Sequence, residues 1–299
     1  MNIEYLKTFL ALASNGNFTK TAQNLFVSQS TVSIRIRELE KEIGKELFKR
    51  NHGTAVLTLP GKALVEYAEK IVGLEANAIE QASLAGTFSE RLVVGTVYYF
   101  YDSFIADNLE DHLERHPDIA IRIVLGHSMK IIHSIGTGEL DIGFTHHPYN
   151  HPGYYCQLFN VDEMLLVTGA HNSRYINGIS IWEVKNLPIL YSSFLDHATE
   201  NWIFPRQHLF SLDIDVGGKI VPFLKKGDRY TFLPKKLVEK ELLEGTLINI
   251  PLIGNQLPPL ENYIIYKRDN EKHATICHWI KWLRDVLQIP EPCPICGAE

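Results

Sequence analysis

Cysteine is scarce in this chain. Four residues in 299, at Cys156, Cys277, Cys293 and Cys296, are too few and too scattered for a disulfide framework. Long apolar runs are missing as well, since none approaches the roughly 18 residues that span a bilayer. There is no G-x-S-x-G elbow, no P-loop and no H-E-x-x-H, and the glycines after the first strand of the long C-terminal half do not make a dinucleotide fingerprint. Nothing pairs a nucleophile with a base at a recognisable spacing. These absences lead to an expectation of no catalytic residue, no cofactor and no resident metal. The amino end, MNIEYLKTFLALAS, has a short apolar patch, but Glu4 and Lys7 interrupt it at helical spacing and no cationic region precedes it. It reads as a core helix rather than an export signal, so a cytoplasmic location is expected, with no membrane partner.

What is present is the composition of a globular protein, 45% hydrophobic and 21% charged, with a length that suggests two or three domains. The net charge of -6 is unevenly placed. Residues 1–60 hold eight Lys and Arg against five Asp and Glu, or +3, and the rest holds 21 against 30, or -9. A basic head on an acidic body orients a molecule at a polyanion while limiting indiscriminate adhesion.

Phe18 to Glu42, FTKTAQNLFVSQSTVSIRIRELEKE, carries two short helical patterns joined by one polar step, as a helix-turn-helix does. Thr21, Ala22 and Leu25 give the first a small apolar stripe, and Ser28 is placed to cap the second. From Gln29 onward Val32, Ile36, Leu39 and Ile43 recur at spacings of four, three and four, on one face. The opposite face carries Ser30, Ser33, Ile34, Arg37 and Lys41, with Gln29, Thr31 and Arg35 near the start. Such a face fits a major groove, where short polar groups reach base edges and cations reach phosphates. Read alone, it is equally the solvated side of an amphipathic helix. Around this stretch, Leu6, Phe9, Leu10 and Ala13 of a first helix are expected to pack inward, and Asn15-Gly16 supplies a turn. Gly44 ends the second helix, and Phe48 to Thr58 reads as a two-strand wing with Lys49, Arg50 and His52 at its tip.

Over residues 1–61 the chain resembles the winged helix-turn-helix of the LysR-type transcriptional regulators: MNIEYLKTFLALAS, then GNFTKTAQNLFVSQSTVSIRIRELEKEIGKELFKR, then the wing and LTLPG, without a gap. It departs from the common family pattern at Ile34-Arg35, where Arg-Gln is frequent, and at Thr58-Leu59-Pro60-Gly61. The resemblance implies double-stranded DNA as partner, with Ser28, Gln29, Ser30, Thr31, Ser33, Ile34, Arg35, Arg37 and Arg50 at the DNA.

After Pro60-Gly61 a helical pattern runs from Lys62 to about Phe88, roughly 40 Å at about 1.5 Å per residue. Leu64, Ile71, Ala78 and Ala85 repeat every seven residues with Tyr67 and Leu74 between them, a seam ready to pair with a second copy. Two copies would address half-sites about 34 Å apart or a multiple of that. From Arg91 strands and helices alternate: strands at 92–97, 119–125 and 141–144, helices at 103–116 and 129–137. Further strands are expected at 164–168, 187–191, 230–233 and 263–266, with helices at 199–208, 234–244 and 271–288. This grammar predicts a mostly parallel sheet with ligands beyond the carboxyl ends of its strands.

Residues 91–290 are similar to the two-lobed effector domain of the same family, which shares the periplasmic-binding-protein fold, and Gly138-Glu139-Leu140-Asp141 matches its G-E-L-D pattern. The expected class is therefore α/β with an α-rich winged helix-turn-helix head. It divides into a DNA-binding domain at 1–60, a linker helix at 61–89 and an effector domain at 90–299. Lobe I takes about 90–146 and 267–290, and lobe II about 147–266. The resemblance implies a small-molecule effector, anionic or aromatic, held by Tyr98, Tyr99, Ser128, Thr145, Tyr191, Ser192 and Arg229. It also implies a homodimer or homotetramer, and it makes RNA polymerase a candidate partner. Two alternatives stand beside this reading: a metal- or redox-responsive regulator using His146, His147 and His151 or the Cys293-x-x-Cys296 tail, and a two-lobed enzyme with an attached DNA anchor.

Overall fold

The computed structural model describes residues 1–51, 54–84, 86–205, 208–254, 256–270 and 273–289. His52, Ala85, Cys293 and Cys296 lie outside the described residues, as does the side chain of Arg50. The chain divides into two compact units, Met1–Ser89 with His133–Leu140, and Glu90–Ile132 with Asp141–Glu299.

The first unit opens with α1 (Ile3–Asn15), α2 (Phe18–Asn24) and α3 (Gln29–Ile43), followed by the antiparallel wing strands β1 (Phe48–Asn51) and β2 (Thr54–Leu57). Ser28 caps α3, its hydroxyl accepting from Thr31 N at 3.1 Å, and Gly44 closes it at φ 71°, a conformation that favours glycine. Val32, Ile36 and Leu39 reach the core with Leu6, Phe9 and Leu12. Three expectations shift here. Leu12 is fully buried while Leu10 and Ala13 sit at the core's edge, and Ile43 is exposed because α3 outlasts the core it packs on. Glu40 Oε1 then accepts from Leu47 N at 2.8 Å and Phe48 N at 3.2 Å, which aims the chain into the wing.

The long helix α4 (Leu59–Leu84) buries Ala68, and packs Leu64, Val65, Ile71 and Val72 against the same core. The expected seam is thus divided: Leu64 and Ile71 are spent within the unit, and Tyr67 and Leu74 stay exposed, at 64% and 69%.

The second unit contains a five-stranded sheet in the order β4-β3-β5-β12-β6. β3 (Glu90–Thr96) is parallel to β4 (Ile119–Leu125) and to β5 (Ile142–Thr145). Between β3 and β4 the chain is helical from α5 (Tyr98–Phe100), through a π turn at Tyr101–Ile105, to α6 (Leu109–Arg115), starting earlier than the sequence pattern indicated. α7 (Ser128–Thr137) leads into β5, where Asp141 Oδ2 accepts from Val93 N at 2.7 Å and pins the two strands. β6 (Tyr154–Asp162), which the sequence reading lacks, pairs antiparallel with the late strand β12 (Leu260–Lys267), itself antiparallel to β5.

The sheet is therefore mixed rather than mostly parallel, and residues 154–162 and 260–266 belong with lobe I rather than lobe II. The intervening chain builds lobe II on an antiparallel sheet, β10-β7-β9. Its elements in order are β7 (Met164–Gly169), β8 (Ile179–Ser180), α8 (His197–Ile203), α9 (Val221–Leu224), β9 (Tyr230–Pro234), α10 (Lys235–Leu243), β10 (Leu247–Ile250) and β11 (Leu252–Ile253). The strand expected at 187–191 is reduced to two isolated bridges, Ile189 to Tyr230 and Tyr191 to Asp213. The closing helix α11 (Ala274–Leu287) buries Ile276, Trp279, Ile280 and Leu283 as expected, and Trp282 besides. Among the described residues no helix is long and apolar enough to cross a membrane.

Candidate functional sites

The first site is the outer face of α3. With Val32, Ile36 and Leu39 turned into the core, the helical period places Gln29, Ser30, Ile34 and Arg37 outward, where all four are exposed, with Ser33 and Thr31 half-buried beside them. Ser28 Oγ lies 2.7 Å from Ser30 Oγ and 2.8 Å from Thr31 Oγ1, so the first turn presents a joined patch of hydroxyls. Arg35 goes elsewhere. Its Nη1 donates to Thr8 Oγ1 at 3.1 Å and lies 3.4 Å from Glu4 Oε2, which ties it to α1 and away from the free face.

The second site lies in the other unit, beyond the carboxyl ends of β3, β4 and β5. Val97, Tyr98, Gly126, His127, Ser128 and His146 follow those strand ends, and they form one wall of a hollow of about 270 Å3. Ser193, Phe194, Asp215 and Gly217 of lobe II face them. Gly217 has no room for a side chain, since a Cβ there would stand 2.1 Å from the Ser192 carbonyl oxygen. The far wall is thus partly bare backbone. The first turn of α7, at Ser128 and Met129, opens into the hollow, and N–H groups at a helix start favour an anion.

Beneath the hollow runs a chain of polar contacts. The Tyr99 hydroxyl donates to Asp162 Oδ2 at 2.6 Å, His146 Nδ1 lies 3.0 Å from Asn262 Oδ1, and His146 N donates to Ser128 Oγ at 3.0 Å. The Tyr99 ring meets Phe104 and Phe194 edge-on and lies against His146 at 5.6 Å. Burial, then the adjacent Asp162 charge, raises the pKa of Tyr99. Burial likewise pushes His146 down to about 4, so the ring is neutral at pH 7.

Of the residues expected to hold an effector, Tyr98, Tyr99 and Ser128 line this hollow. Tyr191 lines an adjoining one of about 550 Å3, where its hydroxyl donates to Glu200 at 3.0 Å. Thr145 and Ser192 are buried, and their hydroxyls are committed to the His147 and Phe232 carbonyls at 2.9 and 2.6 Å. Arg229 is exposed and lines neither hollow. His146 and His147, expected only under the metal- or redox-responsive alternative, line the hollow as well, and Phe194 and Asp215 were not expected. The histidines had a signal in their place directly after β5, whereas Phe194 and Asp215 sit in loops with no pattern. His151 stacks on Tyr149 and lines neither hollow. Among the described residues no group of three or more His, Cys, Asp or Glu could hold a metal ion. Neither Lys nor Arg lines the first hollow; its charged or titratable lining is Asp102, Asp215, His127, His146, His147 and Tyr residues.

Comparison with known proteins bears on both sites. Residues 3–62 match the family described as bacterial regulatory helix-turn-helix protein, lysR family, and residues 85–288 match the LysR substrate binding domain. The chain is similar to the HTH-type transcriptional regulator CitR of Bacillus subtilis (strain 168), at 28% identity over 283 residues, covering 91% of this chain and 96% of CitR. It is similar to GltR of the same organism at 25% over 295 residues, covering 98% and 99%. Among solved structures, CbnR, a LysR family transcriptional regulator, aligns with a TM-score of 0.65 at 16% identity, covering 96% of this chain and 99% of that one. CbnR complexed with its target DNA aligns at 0.64 and 17%, covering 96% and 100%.

Proposed function

This chain belongs to the LysR family of DNA-binding transcriptional regulators, and from that premise we propose that it is a cytoplasmic homodimer or homotetramer whose cleft binds an anionic or aromatic small molecule and acts by binding, without catalysis. The observation that carries the proposal is the hollow between the lobes, with the open first turn of α7 at one end and the rings of Tyr98 and Phe194 at its sides. A carboxylate meets free N–H groups at the helix start, and a flat ring lies among aromatic faces.

The ligand closes the lobes and thereby alters the pairing between subunits and the spacing of the paired α3 helices. It does so only to the extent that it binds one arrangement better than the other. Exposed Tyr67 and Leu74, seven residues apart on α4, supply the pairing stripe. At the DNA, Gln29, Ser30 and Ser33 face base edges and Arg37 faces phosphate.

A thermal-shift screen of small carboxylates and aromatic acids against the full chain tests this reading, because a ligand that prefers the folded state raises the melting temperature. A compound that raises it and also changes the mobility or footprint of a bound genomic fragment supports the proposal. If no compound of either class moves either readout, the proposal falls.

A further inference from the structure

The exposed face of α3 has a polar rim and an apolar centre. Ile34 is 54% exposed. One turn away on either side stand Ser30 and Arg37, with Ser33 adjacent, and Val32, Ile36 and Leu39 take the core side of the helix. A branched aliphatic side chain in the middle of a groove-facing surface offers no donor and no acceptor. It cannot read a base through hydrogen bonds, and it desolvates any polar edge placed against it, leaving that edge unpaired. One group on the major-groove edge suits it, the C5 methyl of thymine. Arg35, the neighbouring cation, is held by Thr8 and Glu4 and does not compete for the same base pair.

We infer that Ile34 is a specificity-determining residue that selects a thymine in each half-site by packing on its methyl group. The inference rests on the placement of α3 at DNA given above, and adds the identity of one base.

The test uses full-length protein and a random pool of duplexes. The best-enriched duplex is prepared with thymine and again with uracil, which removes only the methyl groups. The wild type should bind the thymine duplex about five- to tenfold more tightly. Ile34→Ser should bind both alike, at the wild type's uracil level, and selection with Ile34→Arg should replace thymine by guanine at that position, since Arg pairs two guanine acceptors. Equal binding of both duplexes by the wild type, or an undiminished thymine preference in Ile34→Ser, overturns the inference while leaving DNA recognition intact. If the pool yields no enriched duplex, the placement of α3 at DNA fails, and the assignment of Ile34 fails with it.

Discussion

The hydroxyl of Tyr99 donates to Asp162 Oδ2 at 2.6 Å, and the same carboxylate oxygen accepts from Lys236 N at 2.9 Å. Asp162 thus joins the helical segment that follows β3 in lobe I to the first turn of α10 in lobe II. Tyr99 is almost fully buried, so Tyr99→Phe keeps the ring in place and removes the hydroxyl with its bond to Asp162. A hydrogen bond to a charged partner contributes about 1.5–3 kcal/mol. Urea unfolding of Tyr99→Phe should show a loss in that range, and the pKa of Asp162, already raised by burial and held down by Tyr99, should rise further. A variant as stable as the wild type would mean the pair is incidental.

Acid should destabilise the second unit before it reaches the ordinary carboxylate range. Burial lowers His146 to about 4, and burial followed by the neighbouring His116 lowers His112 to about 4, against the ordinary histidine value of 6.5. The unfolded chain binds these protons first, so stability is fully present above pH 6.5 and is lost as pH falls towards 4. His146 alone contributes about 3 kcal/mol across that window. His146→Gln should flatten part of the slope in tryptophan-monitored unfolding and leave the part due to His112. An unchanged slope would remove His146 from the account.

Arg35 and Arg37 stand two residues apart and should fail differently. Arg35 is braced by Thr8 and Glu4, and Arg37 is exposed. Arg37→Ala should weaken binding similarly on all duplexes and reduce the log-log salt slope by about 0.9, the share of one phosphate contact. Arg35→Met should destabilise the head by about 0.5–1 kcal/mol through the loss of a part-exposed pair, read as a lower melting temperature, with base preference unchanged. A relaxed base preference in Arg35→Met would return that residue to the DNA.

The parts of this molecule that could be read in advance are those with local signals. The capping hydroxyl of Ser28 and the four-three-four spacing after it set α3, and the apolar run at 92–96 set β3. β6 escaped because only Phe159 along it is buried, so no alternation marks the strand. Missing β6 also misplaced the boundary between the lobes. The Tyr99–Asp162 contact joins residues 63 apart, and nothing in either neighbourhood announces the other. Arg229 is the converse case: a cation near a strand start is visible in the sequence, but whether it lines a hollow is decided by tertiary packing, and it lines neither of the two described.

Phe26, at the end of α2, has φ 54° and is 96% exposed. Its N–H bonds to the Gln23 carbonyl and the next N–H to that of Ala22, the pattern of a helix end that favours glycine. A side chain in this conformation costs about 1 kcal/mol, and an exposed ring recovers none of it by burial. Phe26→Gly should therefore stabilise the head by up to about 1 kcal/mol, read as a higher urea midpoint in helical circular dichroism, with the entropy of the unfolded glycine offsetting part of the gain. The ring stands two residues before the cap of α3, so affinity for a selected duplex should be measured on the same sample. Greater stability with unchanged affinity would make Phe26 a tolerated strain. Greater stability with weaker binding would mean that the ring touches DNA and that the strain is kept for that contact. A fall in stability larger than the entropy of an unfolded glycine, about 1 kcal/mol, would show that the ring is packed in solution.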